Sequence, residues 1–343
     1  MISSMKVLFT FLLAVIFINC HAQKLSRSDY KILKQKEDTL KIFARQIMEG
    51  RNPADCMLAD SQFTRLFVKA LKIPNSFSYP FDSLINISKL TAPDSSFKIF
   101  TWQLVIDEDQ VRQHGAIQMR TADGSLKLFP LVDKSDITEN MTDTIANNFG
   151  WMGAVYYKII ETEDFGKKFY TLLGYDENNI RSNKKIIEVL TFQRNEPIFG
   201  GPYFSYQDGS LNKKFPNRFV MEYKKHAGPR LTFDDEQNMI IYEHLISPSG
   251  EPNKKYTLVP DGDYEGLKWM QGKWVHINKV FTFKLEDGQA PVPTPLKADH
   301  GTIDSNTKLE SDDTTGAETN SEEPKKATSK SSKKSRSKKS EPE

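Results

Sequence analysis

The run Asp261-Gly262-Asp263-Tyr264-Glu265-Gly266 sets oxygen ligands at alternate positions, with glycine at the sixth. The first half of a calcium loop has this spacing, because a hard cation gathers oxygen ligands around a sharp glycine turn. Asp261, Asp263 and Glu265 are therefore the candidate metal ligands. A bidentate carboxylate should close such a loop at its twelfth position, but that position is Gly272. No helical pattern flanks the run either. The same residues equally form an acidic turn between two strands.

The histidines outside the leader and the tail are His114, His226, His244 and His276. None is paired at the spacing of a helical zinc site, so only the fold can bring them to a carboxylate. Gly-x-Ser-x-Gly is absent. Ser95-Ser96-Phe97-Lys98 and Ser210-Leu211-Asn212-Lys213 match Ser-x-x-Lys, a pattern short enough to occur by chance. Phe199-Gly200-Gly201-Pro202-Tyr203-Phe204 lacks the Lys-Ser/Thr of a phosphate loop and reads as close backbone packing. Many Asp and Glu could flank a glycosidic bond, and nothing singles out a pair. No catalytic residue and no cofactor are assigned. Trp102, Trp151, Trp269 and Trp274, with Tyr156 and Tyr157, could line a carbohydrate-binding face; aromatic residues on strands more often fill a core. Cys56 reads as a small buried apolar side chain.

These residues need elements to position them. Ser28 is the expected cap of a helix running to about Glu49, ended by Gly50 and Pro53. A second helix is expected from about Asp60 to Lys72. From Phe97 the period changes to two, with Phe100, Trp102, Leu104 and Ile106 on one face. Asp123-Gly124 marks a hairpin between strands at 116–121 and 126–131. Further strands are expected at 154–162, 168–173, 185–192, 218–223, 239–245, 256–259 and 273–283. Their links are too short for crossover helices. The fold class is therefore α+β: N-terminal helices packed on a mostly antiparallel β-sheet or open barrel.

Residues 1–22 read as a signal peptide: one lysine, an apolar run from Val7 to Ile18, and a cut after Ala22. The apolar run is shorter than a membrane-spanning helix needs, so no transmembrane helix is expected after removal. Cys20 offers an alternative, lipidation at the cut of a lipoprotein, although Asn19 is a poor preceding residue. Residues 23–96 form the helical segment and 97–288 the β domain. Residues 289–343 form a tail, acidic and then basic, with too little apolar surface to fold. The 343 residues carry a net charge of +2, so no strong field covers the surface. The basic part of the tail could bind polyanions weakly and salt-sensitively; the same residues equally form a solvated tail that its acidic half partly neutralises.

The segments Tyr156-Tyr157-Lys158-Ile159-Ile160, Tyr170-Thr171-Leu172-Leu173-Gly174-Tyr175-Asp176, Lys185-Ile186-Ile187-Glu188-Val189-Leu190 and Tyr256 to Gly266 resemble a group of secreted Bacteroidetes proteins of unknown function. The resemblance implies a periplasmic or surface location and brings no catalytic residues. The expected role is a non-catalytic binding or structural module of the envelope, with a protein or glycan as partner. The alternative is a periplasmic hydrolase acting on glycan or peptide, its site assembled only in the fold.

Overall fold

The computed structural model describes residues 25–50, 52–107, 109–206 and 216–281. The leader with Cys20, and the tail, lie outside the described residues. The described residues fall within one compact unit that runs to Lys284.

Helix α1 spans Arg27–Glu49 and α2 spans Pro53–Leu71. Ser26, not Ser28, caps α1: its hydroxyl accepts the Asp29 amide at 3.0 Å. Such a cap is worth about 1 kcal/mol. Proline ends a helix from inside but starts one well, because the first helical amide has no partner to lose. Pro53 accordingly opens α2 behind the Asn52 cap, whose side chain accepts the Ala54 amide at 2.9 Å. This moves the start of α2 well ahead of Asp60.

The strands follow in chain order. β1 (Ser88–Thr91), β2 (Phe97–Val105), β3 (Val111–Met119) and β4 (Lys127–Val132) form the first sheet. β5 (Ala146–Asn147), β6 (Val155–Asp164), β7 (Lys167–Asp176), β8 (Ser182–Gln193) and β9 (Glu196–Phe199) belong to the second. β10 (Phe204–Ser205) belongs to the third, and β11 (Phe219–Lys224) pairs with β8 of the second. β12 (Leu231–Asp234), β13 (Met239–Ile246), β14 (Val259–Met270) and β15 (Lys273–Ile277) complete the third. Pairing is antiparallel except between β10 and β15. The sheets are open and none closes into a barrel.

The layers stack in the order helices, first sheet, second sheet, third sheet. Period-two alternation makes this possible, since successive side chains on a strand serve opposite cores. Phe100, Trp102 and Leu104 of β2 pack with α1 and α2, as their spacing predicted. Phe97 and Ile99 face the second sheet, against Tyr170 and Leu172. Phe169 and Leu173 turn the other way, towards Ile240, Leu267 and Trp274 of the third sheet. Trp102, Trp151 and Trp274 are buried, and Cys56 is a buried free thiol.

Three sequence expectations shift. The strand expected at 256–259 is a 3-10 turn, Lys255–Thr257, and the true strand β14 begins at Val259. β15 stops at Ile277 rather than 283. Asp123-Gly124 sits in a loop longer than a two-residue turn, and the Gly124 carbonyl accepts the Asn75 amide at 2.9 Å.

Candidate functional site

A cavity of about 780 Å³ opens beside the third core. β11 supplies Phe219, Val220, Met221 and Glu222 to its lining, and β13 supplies Tyr242, Glu243, His244 and Leu245. Glu265 of β14 and His276 of β15 complete a polar corner, while Lys255 and Leu258 come from the turn before β14.

Strand register builds that corner. Tyr242 and Glu265 stand directly opposite each other on β13 and β14. Leu267 is opposite His276, which makes Glu265 and His276 diagonal neighbours on one face. Diagonal pairs remain within reach of long side chains. The Tyr242 hydroxyl donates to Oε2 of Glu265 at 2.9 Å, and Nε2 of His276 lies 2.9 Å from the same oxygen. The Tyr206 ring meets His276 edge-on at 5.4 Å between centroids. Burial, reinforced by the Glu265 charge, pushes the Tyr242 phenol far above its ordinary value. Tyr242 therefore stays a donor. The contact with the carboxylate fixes the orientation of the His276 ring. The corner offers carboxylate oxygens and an oriented imidazole beside aromatic walls.

The candidate metal ligands do not come together. Glu243 pairs with Tyr264 and Leu245 with Pro260, so Asp261, Gly262 and Asp263 bulge opposite His244 alone. Gly262 turns the chain at φ +90°, a conformation that costs glycine little. Asp261 lies 2.8 Å from Nδ1 of His244, and its other oxygen accepts the Asp263 amide at 3.1 Å. Burial pushes Asp261 up, but His244 and that amide hold it below the usual carboxylate value. Glu265 belongs to the corner with Tyr242 and His276. Among the described residues, no group of three or more His, Cys, Asp or Glu gathers to hold a metal ion.

The fold pairs three of the four histidines with carboxylates. Besides His244 and His276, Nδ1 of His114 lies 2.9 Å from Asp60. His226 sits in the turn after β11 and joins none of these pairs. Lys98 reaches the Tyr79 carbonyl at 2.9 Å rather than turning back on Ser95, the serine of this Ser-x-x-Lys match. Its counterpart at 210–213 lies outside the described residues. Gly200 packs where a Cβ would stand 3.1 Å from the Asn217 and Thr144 carbonyls, consistent with close backbone approach.

Glu222 was not singled out from sequence. Its hydroxyl partner Ser182 donates at 2.6 Å from the neighbouring strand β8. The cross-strand neighbours of Glu265 and Glu222 are set by pairing between segments far apart in the chain. A carboxylate alternating with apolar residues on a strand was the one local signal.

No helix among the described residues is long and apolar enough to cross a membrane. No protein-family model matches the chain, and neither a curated protein nor a solved structure does.

Proposed function

We propose that this chain is an exported envelope module that binds a small amphipathic ligand in the cavity between β11 and the third sheet, without transforming it. The carrying observation is the cavity itself. Its volume of about 780 Å³ suits a ligand of drug size, and apolar walls with a few convergent polar groups are the usual make-up of a binding pocket. Export is supported by the leader pattern of residues 1–22 and by the resemblance to secreted Bacteroidetes proteins. A fragment library screened by ligand-observed NMR tests the reading. Hits should compete with one another and disappear in Val220→Trp, which adds bulk to the cavity lining on β11. Hits that persist unchanged in a folded V220W protein would locate binding elsewhere and overturn it.

One observation favours the hydrolase alternative. Glu222, Glu243 and Glu265 share the cavity with His276, which Glu265 orients. A carboxylate-oriented imidazole can serve as a general base. Turnover of a glycan or peptide library, abolished in His276→Gln, would establish that alternative. The binding reading expects no turnover.

A further inference from the structure

Taking the cavity to be a binding site, the reading on which the choice of ligand rests, we infer that its ligand is a small organic cation with an apolar body. The lining carries three glutamates, Glu222, Glu243 and Glu265, against one lysine, Lys255. Hydrogen bonding distributes these carboxylates unevenly. Glu243 is engaged twice, accepting the Arg230 amide at 2.5 Å and the Tyr264 hydroxyl at 3.3 Å. Tyr242 and His276 both address Oε2 of Glu265, so Oε1 has no donor among the described residues. Ser182 and Asn178 both address Oε1 of Glu222, which leaves its Oε2 in the same state.

Among the described residues, the basic groups near Glu222 and Glu265 are held elsewhere or stand exposed, and Arg230 acts at Tyr264, beside Glu243. Lys184 stands opposite Glu222 on β8, but its ammonium turns to Asp176 at 3.9 Å. Lys185 is half-buried, and burial lowers its pKa, with Glu243 as the opposing influence. Lys255 is exposed at the cavity lining. His244 is committed to Asp261 and His276 to Glu265.

The walls suit the rest of such a ligand. Phe219 and Tyr242 stand 4.8 Å apart between ring centroids, and Tyr206 joins them in the lining. Aromatic faces attract cations through the ring quadrupole, and desolvation strengthens the attraction. Among the described residues, the Glu265 oxygen without a donor then supplies a direct charge-assisted hydrogen bond to an ammonium group, and Glu222 adds negative charge to the lining from the other face of β11. An anionic ligand would meet the same carboxylates as repulsion.

The test uses three probes on one skeleton, phenylbutylamine, phenylbutanol and phenylbutyrate, titrated calorimetrically into the full chain at neutral pH. The amine should bind about tenfold or more tightly than the alcohol, and the acid more weakly than either. In Glu222→Gln/Glu265→Gln the amine should lose that preference while the alcohol keeps its affinity, which also certifies the fold of the variant. An alcohol that matches the amine, with both lost in V220W, would overturn the cation assignment and leave the cavity reading standing. A preference that survives in E222Q/E265Q would overturn it too. Absence of saturable binding by all three probes would overturn the cavity reading together with the assignment.

Discussion

Arg218 and Glu188 meet as a fully buried ion pair, Nε to Oε2 at 3.0 Å, with side chains 0% and 1% exposed. Nη1 of the same guanidinium holds the 141–144 segment, donating to the Met141 carbonyl and, at 2.8 Å, to the Thr144 carbonyl. Oε1 of Glu188 accepts the Tyr156 hydroxyl, which in turn accepts the Trp151 indole N–H at 2.6 Å. Burial drives the Tyr156 phenol well above its ordinary value, so it remains a donor. The pair thus ties β8 of the second sheet to the loop ahead of β5.

Deleting one member strands the other charge in the interior, a loss of about 3–5 kcal/mol, whereas replacing both by apolar groups can be nearly neutral. Arg218→Met should therefore lower urea-derived stability by that amount. Glu188→Leu/Arg218→Met should cost less than R218M alone. A double variant as unstable as the sum of the single ones would show that the two residues act independently.

Lys98 makes a prediction about pH. It sits on β2 with its ammonium bonded to the Tyr79 carbonyl at 2.9 Å and 5.2 Å above the Phe77 ring centre. Burial pushes the amine down from 10.5 to about 8, against the pull of Asp82. Between those two values the unfolded chain keeps a proton that the folded chain has released, so stability rises with pH across the window. Below it both states hold the proton and the cost of burying the charge is fully present. Lys98→Gln should flatten the rise between about pH 8 and about pH 10.5 in urea titrations. An NMR titration placing the native amine near 10.5 would count decisively against this.

The sequence displayed the strands more clearly than their stacking. Leu172 and Leu173, or Ile186 and Ile187, are adjacent apolar residues on single strands, and each pair divides between two cores. Such unbroken apolar runs mark a sheet covered on both faces, and they were the available signal for the middle layer. Pro53 misled because proline is read most readily as a terminator, while its position behind Asn52 makes it a helix start. The Asp261 run drew attention by spacing, yet Asp261 turns to His244 across a bulge while Glu265 turns to Tyr242 and His276. His276 and Glu265 could not be matched from sequence, because their meeting depends on the β14–β15 register. Glu222 depends on pairing with β8, about forty residues earlier in the chain.

Asp60 carries the last prediction. It lies on α2, and one of its oxygens, Oδ1, serves two strands of the first sheet: the Trp102 indole donates at 2.7 Å and Nδ1 of His114 stands 2.9 Å away. Trp102 and His114 are a cross-strand pair on β2 and β3, with rings edge-on at 5.8 Å. One carboxylate thereby fixes the helical layer against the sheet. Asp60→Leu removes the acceptor and leaves a buried indole N–H unpaired, which costs about 1–3 kcal/mol. Trp102→Phe removes the donor instead. If the bond tethers the layers, D60L and W102F together should cost less than their sum, by about 0.5–3 kcal/mol in a double-mutant cycle. Asp60→Asn keeps an oxygen acceptor and should retain more stability than D60L. Strict additivity of D60L and W102F in urea unfolding would show that α2 is held by apolar packing alone, through Phe63 against Trp102 at 5.2 Å between ring centroids.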